Sequence, residues 1–276
     1  MLNLMGGELA VGHHFAFGGD VGQATATPPG LLGADFAVEN GRYRIKRIYS
    51  GENWNPDLQA PLAAPGVDVR EGDYLITVNG LDLIPPTVPE SALEGLAGKQ
   101  VVITVNARPS KDGARTVTVV PVGGEGALRS RAWVEDNRRL VDRLSGGSLA
   151  YVWLPNTSNA GYTYFNRYYF GQQDRQGAVL DERFNGGGYI ADYIIDIVAR
   201  KLRGYFNNPV GKREPWTEPL AGIWGPKVML INEFAGSGGD MMPYMFRQQE
   251  LGPLIGQRTW GGSSESGTIL RLSTGV

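Results

Sequence analysis

The sequence predicts a chain of two fold classes, a small β domain with one helix against it and then an α/β domain with crossovers, and three observations predict it. β-branched runs broken by turn residues fill positions 42–122. A charged stretch at helical spacing follows at 125–147. After that, a strand, a glycine turn and a helix succeed one another twice.

The first part holds the runs Tyr43–Ile48, Tyr74–Val78, Val101–Val105 and Thr116–Val120, separated by clusters of Gly, Asn, Asp and Pro. Such alternation of β-branched runs and turn residues reads as strands. One short helical stretch, Pro89 to Leu96, lies between the second and third runs, so the domain reads as mostly antiparallel with a helix packed on it. From Glu125 to Gly147, Trp133, Leu140, Val141 and Leu144 recur at helical spacing among charges, and Gly146-Gly147 supplies the stop. This stretch is expected to be a connector helix.

Ala178–Asp181 then leads through Asn185-Gly-Gly-Gly188 into a helix whose apolar face is Ile190, Tyr193, Ile194, Ile197, Val198 and Leu202. Lys227–Ile231 leads through Ala235-Gly-Ser-Gly-Gly239 into a helix over Met241 to Arg247. Two such units in succession argue for a parallel sheet with right-handed crossovers, and ligands bind such sheets at the carboxyl ends of the strands, where both glycine turns sit. The expected division is an N-terminal segment at 1–28, the β domain at 29–123, the connector at 124–147 and the α/β domain at 148–276.

Composition narrows the chemistry. A formal charge of -2, from 26 Lys+Arg against 28 Asp+Glu, offers no electrostatic footprint for nucleic acid or an anionic membrane, so peptides and proteins are the expected partners. The chain has no cysteine, which removes disulfides, thiol nucleophiles and Cys-based metal sites. The apolar stretch Tyr189 to Val198 is interrupted by Asp192 and Asp196, well short of the ~18 uninterrupted residues of a membrane span. Met1–Glu8 reads as interior sequence and Leu272–Val276 as a strand or turn cut short, so a longer parent protein is expected.

A serine directly after a buried strand, among glycines and before a helix, fits a nucleophile elbow, and Ser237 stands in that setting. The N–H of Gly238, at the positive end of the following helix, would stabilise an oxyanion. The plain alternative is a serine capping a helix. Asn185–Gly188 could donate a second oxyanion N–H, cradle a phosphate or form a structural turn; its spacing matches neither a phosphate-binding loop nor a dinucleotide fingerprint. The chain has two histidines, His13 and His14, and any serine–histidine mechanism must use one of them as base. They are too few for a histidine metal site, and no metal or other cofactor is expected. Glu8, Glu233 and Asp240 are the acids near these motifs, and each could orient a base, bind a substrate amine or be solvated; for Asp240 the expected role is to complement the helix dipole.

Taken together, these residues resemble the tricorn peptidases, relatives of the C-terminal-processing peptidases, over nearly the whole chain. Glu8-Leu-Ala-Val-Gly-His13 resembles the segment carrying the general base. Pro65–Gly80 resembles the central part of a PDZ domain, and Gly30-Leu-Leu-Gly-Ala-Asp-Phe36 its carboxylate-binding loop. Asp181–Gly188 and Asn232–Ser237 resemble the oxyanion and nucleophile segments.

The resemblance implies a PDZ-like domain followed by a ClpP/crotonase-like catalytic domain. It implies acyl transfer to Ser237, with His13 as base and His14 as fallback, and with backbone N–H groups near Gly187 and at Gly238 holding the oxyanion. Leu31, Leu32, Gly33 and Ala34 would hold a peptide's terminal carboxylate. Substrates would be peptides or unfolded proteins, in a cytoplasmic homo-oligomer. The family's site includes a serine immediately before the histidine, where Gly12 stands here, and a downstream glutamate that would lie beyond Val276. A catalytically impaired peptide-binding module is therefore the alternative function.

Overall fold

The computed structural model describes Met5, Gly6, Glu8 and residues 27–262, and the chain divides into two compact units between Glu135 and Asp136. The N-terminal of the two contains strands β1 (Ala34–Glu39), β2 (Arg42–Ile48), β3 (Tyr74–Val78) and β4 (Leu81–Asp82). Helix α1 (Pro89–Ala92), β5 (Val101–Asn106) and β6 (Arg115–Val119) follow. All pairings are antiparallel, in the order β1-β2-β3-β5-β6, with β4 attached to β3.

All five residues of β3 are buried, as befits a central strand, and Leu75 packs with Ile45, Ile103 and Val105 in the core. Two Asn-Gly pairs make the tight reversals. Asn40 and Gly41 (φ 52° and 70°) join β1 to β2, and Asn79 and Gly80 (φ 49° and 81°) join β3 to β4. Positive φ at both central residues suits the right-handed twist of the paired strands, and Asn and Gly tolerate it best.

Helix α1 is shorter than the predicted Pro89–Leu96. Just past its end the backbone pairs with the segment before β1: the Gly30 N–H donates to the Leu93 carbonyl at 2.8 Å, and Glu94 bridges to Pro29. Helix α2 (Gly126–Leu144) follows the predicted connector and stops where Gly146 and Gly147 take positive φ, the Gly147 N–H closing on the Asp142 carbonyl at 2.7 Å.

Among the described residues the second unit has three strand-helix-strand steps where the sequence showed two. They run through β7 (Leu149–Trp153), α3 (Asn159–Phe170), β8 (Gly177–Asp181), α4 (Ala191–Val198), β9 (Gly204–Phe206), β10 (Trp216–Glu218), β11 (Lys227–Ile231), α5 (Gly238–Gln248) and β12 (Leu254–Gly256). The parallel sheet has the order β12-β11-β8-β7, and β9 and β10 form a separate antiparallel pair. Val152, Leu180 and Met229 of the sheet pack with Phe165, Ile194 and Phe246 of the helices in one apolar core.

The unforeseen first step has no glycine in its link. Asn156 does the work instead, its Oδ1 accepting the N–H groups of Ser158 at 3.0 Å and Gly161 at 2.8 Å and so satisfying donors at the start of α3. Helix α4 stops at Val198, short of the predicted Leu202. β8 and β11 are neighbours in the sheet, so the loops leaving their carboxyl ends emerge side by side.

Candidate active site

Ser237 stands between β11 and α5 with φ 58° and ψ -116°. An ordinary capping residue has extended backbone angles. A positive φ on a residue with a side chain costs about 1–3 kcal/mol and persists only where the surroundings impose it. Here they do. The Ser237 N–H donates to Asp240 Oδ2 at 2.7 Å, and the other oxygen of that carboxylate accepts the Gly261 N–H at 2.6 Å. The Gly236 N–H donates to the Asn185 carbonyl at 3.0 Å, and the Trp260 N–H to the Ala235 carbonyl at 2.8 Å. Asp240 is buried, so it is a strut for the elbow as well as a negative charge at a helix N-terminus, and it is not a solvated acid. Glu233 is exposed and lines the cavity in front of Ser237.

The second glycine turn is pressed against the first. A Cβ on Gly187, which has φ +81°, would lie 2.7 Å from Ser237 Cβ, 2.8 Å from the Gly236 carbonyl oxygen and 3.1 Å from Gly238 N. A Cβ on Gly238 would lie 2.1 Å from Thr157 Oγ1 and 2.4 Å from the Gly188 carbonyl oxygen. Both values are below any tolerable contact, so this approach of two backbones requires glycine on both sides. The structure thus places Ser237, Gly187 and Gly238 together. Gly238 opens α5, so its N–H sits at the positive end of the helix dipole. The Gly187 N–H donates to Asn185 Oδ1 at 2.9 Å, and its carbonyl accepts the Thr157 N–H at 2.9 Å. In this conformation, then, the Gly187 donor serves its own turn. A cavity of about 570 Å³ opens in front of the elbow, lined by Ser237, Gly236, Gly188, Tyr189, Phe234 and Trp260 among others.

Three acidic side chains lie behind this surface, and sequence reasoning gave two of them no role. Asp181, at the end of β8, is fully buried and well partnered: Tyr151 Oη donates to it at 2.7 Å and Arg183 Nη2 at 2.6 Å. Burial, followed by the charge of Asp181, raises the Tyr151 phenol far above its ordinary value and keeps it a donor. Glu182 is different. It is 0% exposed, and among the described residues neither carboxylate oxygen has a hydrogen-bond partner. Burial above all, and then the charges of Asp240 and Asp181, push its carboxyl well above the ordinary 4.5. Thr157 Oγ1 and Asn185 Nδ2 are also buried without partners among the described residues, and both belong to residues that touch the elbow glycines.

Glu182 has a consequence for stability. It binds its proton more tightly folded than unfolded, so it costs nothing below the ordinary carboxylate range and destabilises increasingly as pH rises from about 4.5 toward its folded value. Glu182→Leu is therefore expected to raise stability at pH 8 by about 1–3 kcal/mol and to flatten the fall in stability between pH 5 and 8. Urea unfolding at several pH values measures this. A variant less stable than the parent at pH 8 would show that the carboxylate is held charged.

Of the other predicted site residues, His13, His14 and Gly12 lie outside the described residues. Leu31, Leu32 and Gly33 lead into β1, of which Ala34 is the first residue, and the last three of these four are buried. The Leu31 N–H donates to the Val122 carbonyl at 2.8 Å, the Gly33 carbonyl accepts the Tyr49 N–H at 2.9 Å, and the Gly33 N–H donates to Glu125 Oε2 at 3.0 Å. Sequence reasoning gave Glu125 no site role.

Comparison with known proteins follows the same division. Residues 30–124 match the tricorn protease PDZ domain, and residues 148–276 match peptidase family S41. The chain is 39% identical over 272 residues to tricorn protease homolog 1 of Streptomyces coelicolor, covering 98% of this chain and 25% of that protein. It is 37% identical over 265 residues to a putative tricorn-like protease C-terminal subunit of Sulfurisphaera tokodaii, covering 95% of this chain and 30% of that one. A crystal structure of the tricorn protease matches with a TM-score of 0.76 at 29% identity, covering 85% of this chain and 22% of that chain. The chain spans roughly a quarter to a third of the length of these curated relatives.

Proposed function

We propose, from the premise that the chain belongs to the tricorn protease family, that it contributes the acylating serine of a peptidase. The observation that carries this reading is the backbone of Ser237, held at φ 58° and ψ -116° at the head of α5 with Gly187 against it. Ser237 Oγ attacks the substrate's peptide carbonyl, and the amide of Gly238 receives the developing oxyanion. A second donor near Gly187 joins it once its N–H turns from Asn185 Oδ1. His13 takes the serine proton and passes it to the leaving amine, with His14 in reserve. Water then releases the acyl group, and the serine is restored.

On this reading the substrates are peptides or unfolded proteins cut by endopeptidase or oligopeptidase action. The loop Leu31–Ala34 is the candidate for holding a terminal carboxylate, in a PDZ-like domain at 29–123 joined through 124–147 to the peptidase domain at 148–276. A cytoplasmic homo-oligomer is the corresponding assembly. Among the described residues no helix is long and apolar enough to cross a membrane.

A fluorophosphonate probe on the full-length protein tests the proposal. A covalent adduct on the peptide containing Ser237, absent from Ser237→Ala, is the expected result. Equal labelling of the alanine variant would remove Ser237 from the role.

A further inference from the structure

On the reading proposed above, that Leu31–Ala34 is the loop for a terminal carboxylate, this loop already holds one of the chain's own. Glu125 immediately precedes α2, and its carbonyl accepts the Arg129 N–H at 3.0 Å, which fixes it at the head of that helix. From there its side chain turns onto the loop 92 positions earlier, where Oε2 accepts the Gly33 N–H at 3.0 Å. Its other oxygen accepts from Arg129 Nε at 2.7 Å. The side chain is 12% exposed. Donors to both of its oxygens, from the Gly33 amide and the Arg129 guanidinium, are what a peptide's terminal carboxylate would itself require.

The surroundings are closed in the same sense. β1 is an edge strand, the element to which an extended peptide would add. The space beside it, bounded by Leu31, Ala34 and Phe36 on one side and Pro89, Leu93 and Glu125 on the other, amounts to only about 10 Å³. That is about the room one water needs, and far less than an apolar terminal side chain. Arg129 holds the arrangement from behind, its Nη1 donating to Asp35 Oδ1 at 2.7 Å and to Tyr49 Oη at 2.8 Å.

We propose that the peptide-terminus site of this unit is filled by the chain's own Glu125 carboxylate, so that a peptide with a free C-terminal carboxylate enters only by displacing it. The internal group is covalently tethered beside its donors, and an incoming terminus competes against that local concentration. Apparent affinity falls by the fraction of molecules in which Glu125 has left. The inference stands apart from the chemistry of Ser237, because binding can be read without hydrolysis.

The test uses the full-length protein carrying Ser237→Ala, so that no probe is cleaved. The probe is a fluorescein-labelled octapeptide ending in a free valine carboxylate, beside its C-terminal amide. Glu125→Ala is expected to tighten binding of the free acid by about 10- to 100-fold over the Glu125 parent and to leave the amide unchanged. Equal affinity of parent and variant for the acid, or no binding by either, overturns the proposal. Amide exchange gives an independent readout: Gly33 should exchange faster in the variant, while Leu31, bound to the Val122 carbonyl, stays protected. Should Leu31 exchange rise as well, alanine has loosened the loop, and Glu125→Gln, which keeps the size and removes the charge, decides. Faster Gly33 exchange and tighter acid binding in that variant support the proposal; an unchanged Gly33 rate overturns it.

Discussion

Replacing Ser237 by alanine is expected to lower kcat for peptide hydrolysis by the full-length protein by about 10⁶-fold, the loss seen when the nucleophile is removed from an efficient serine peptidase. The residual rate comes from binding and from the oxyanion donors, which the substitution leaves in place. KM should change little, since Oγ forms its bond only on the way to the transition state. A glycine at the same position separates catalysis from capping. Were Ser237 an ordinary cap, glycine would cost a few tenths of a kcal/mol. At φ 58° the glycine instead relieves backbone strain of about 1–2 kcal/mol, so Ser237→Gly is expected to be inactive yet at least as stable as the parent. Thermal unfolding of the three proteins alongside their turnover checks both halves. An active Ser237→Gly, or one clearly less stable than the parent, contradicts the elbow.

The second large effect is expected at Gly238. Its new Cβ would fall 2.1 Å from Thr157 Oγ1 and 2.4 Å from the Gly188 carbonyl oxygen. Thr157 can rotate, but Gly188 is backbone, bridged to Thr157, and two residues on the Ile190 N–H donates to the Thr157 carbonyl at 3.0 Å. The two turns must therefore part by something approaching 1 Å. Displacement of that size at a reacting centre costs on the order of 10²-fold in rate, and overpacking costs about 1–3 kcal/mol of stability. Gly238→Ala is expected to show both. Gly204→Ala, where an added Cβ meets nothing within 4 Å, should stay within about 0.5 kcal/mol of the parent. Similar activity losses in the two variants would mean that the packing of the turns is not what matters.

The parts of the fold that could be read from sequence are those whose signal is local. β3 and β11 were placed residue for residue by their β-branched and apolar runs, and the elbow by a serine among glycines after one of them. The step from β7 through α3 escaped because its turn is organised by the side chain of Asn156, and no glycine marks it. Nothing local in Asp181-Glu182-Arg183 says that its acids are buried. The fold buries both, because β8 is a central strand and Arg183 folds back onto Asp181. No spacing rule joins Glu125 to Gly33 across 92 positions; that contact exists only once the sheet and α2 have formed. Elimination leaves His13 and His14 as the candidate bases and the resemblance prefers His13; both lie outside the described residues.

The neighbouring positions of β8 and β11 also bear on how such a site could be transplanted or redesigned. Adjacent strands run about 4.8 Å apart, and two loops leaving them on the same side inherit that spacing. It is wide enough for two bare main chains and too narrow for a main chain and a methyl group, as Gly187 and Gly238 show. Strand order in the sheet therefore dictates the composition of two loops some 50 positions apart. A graft that carries the serine turn alone, onto a sheet whose neighbouring loop bears side chains, would arrive with its donors displaced. The transferable unit is the pair of strand ends, moved together.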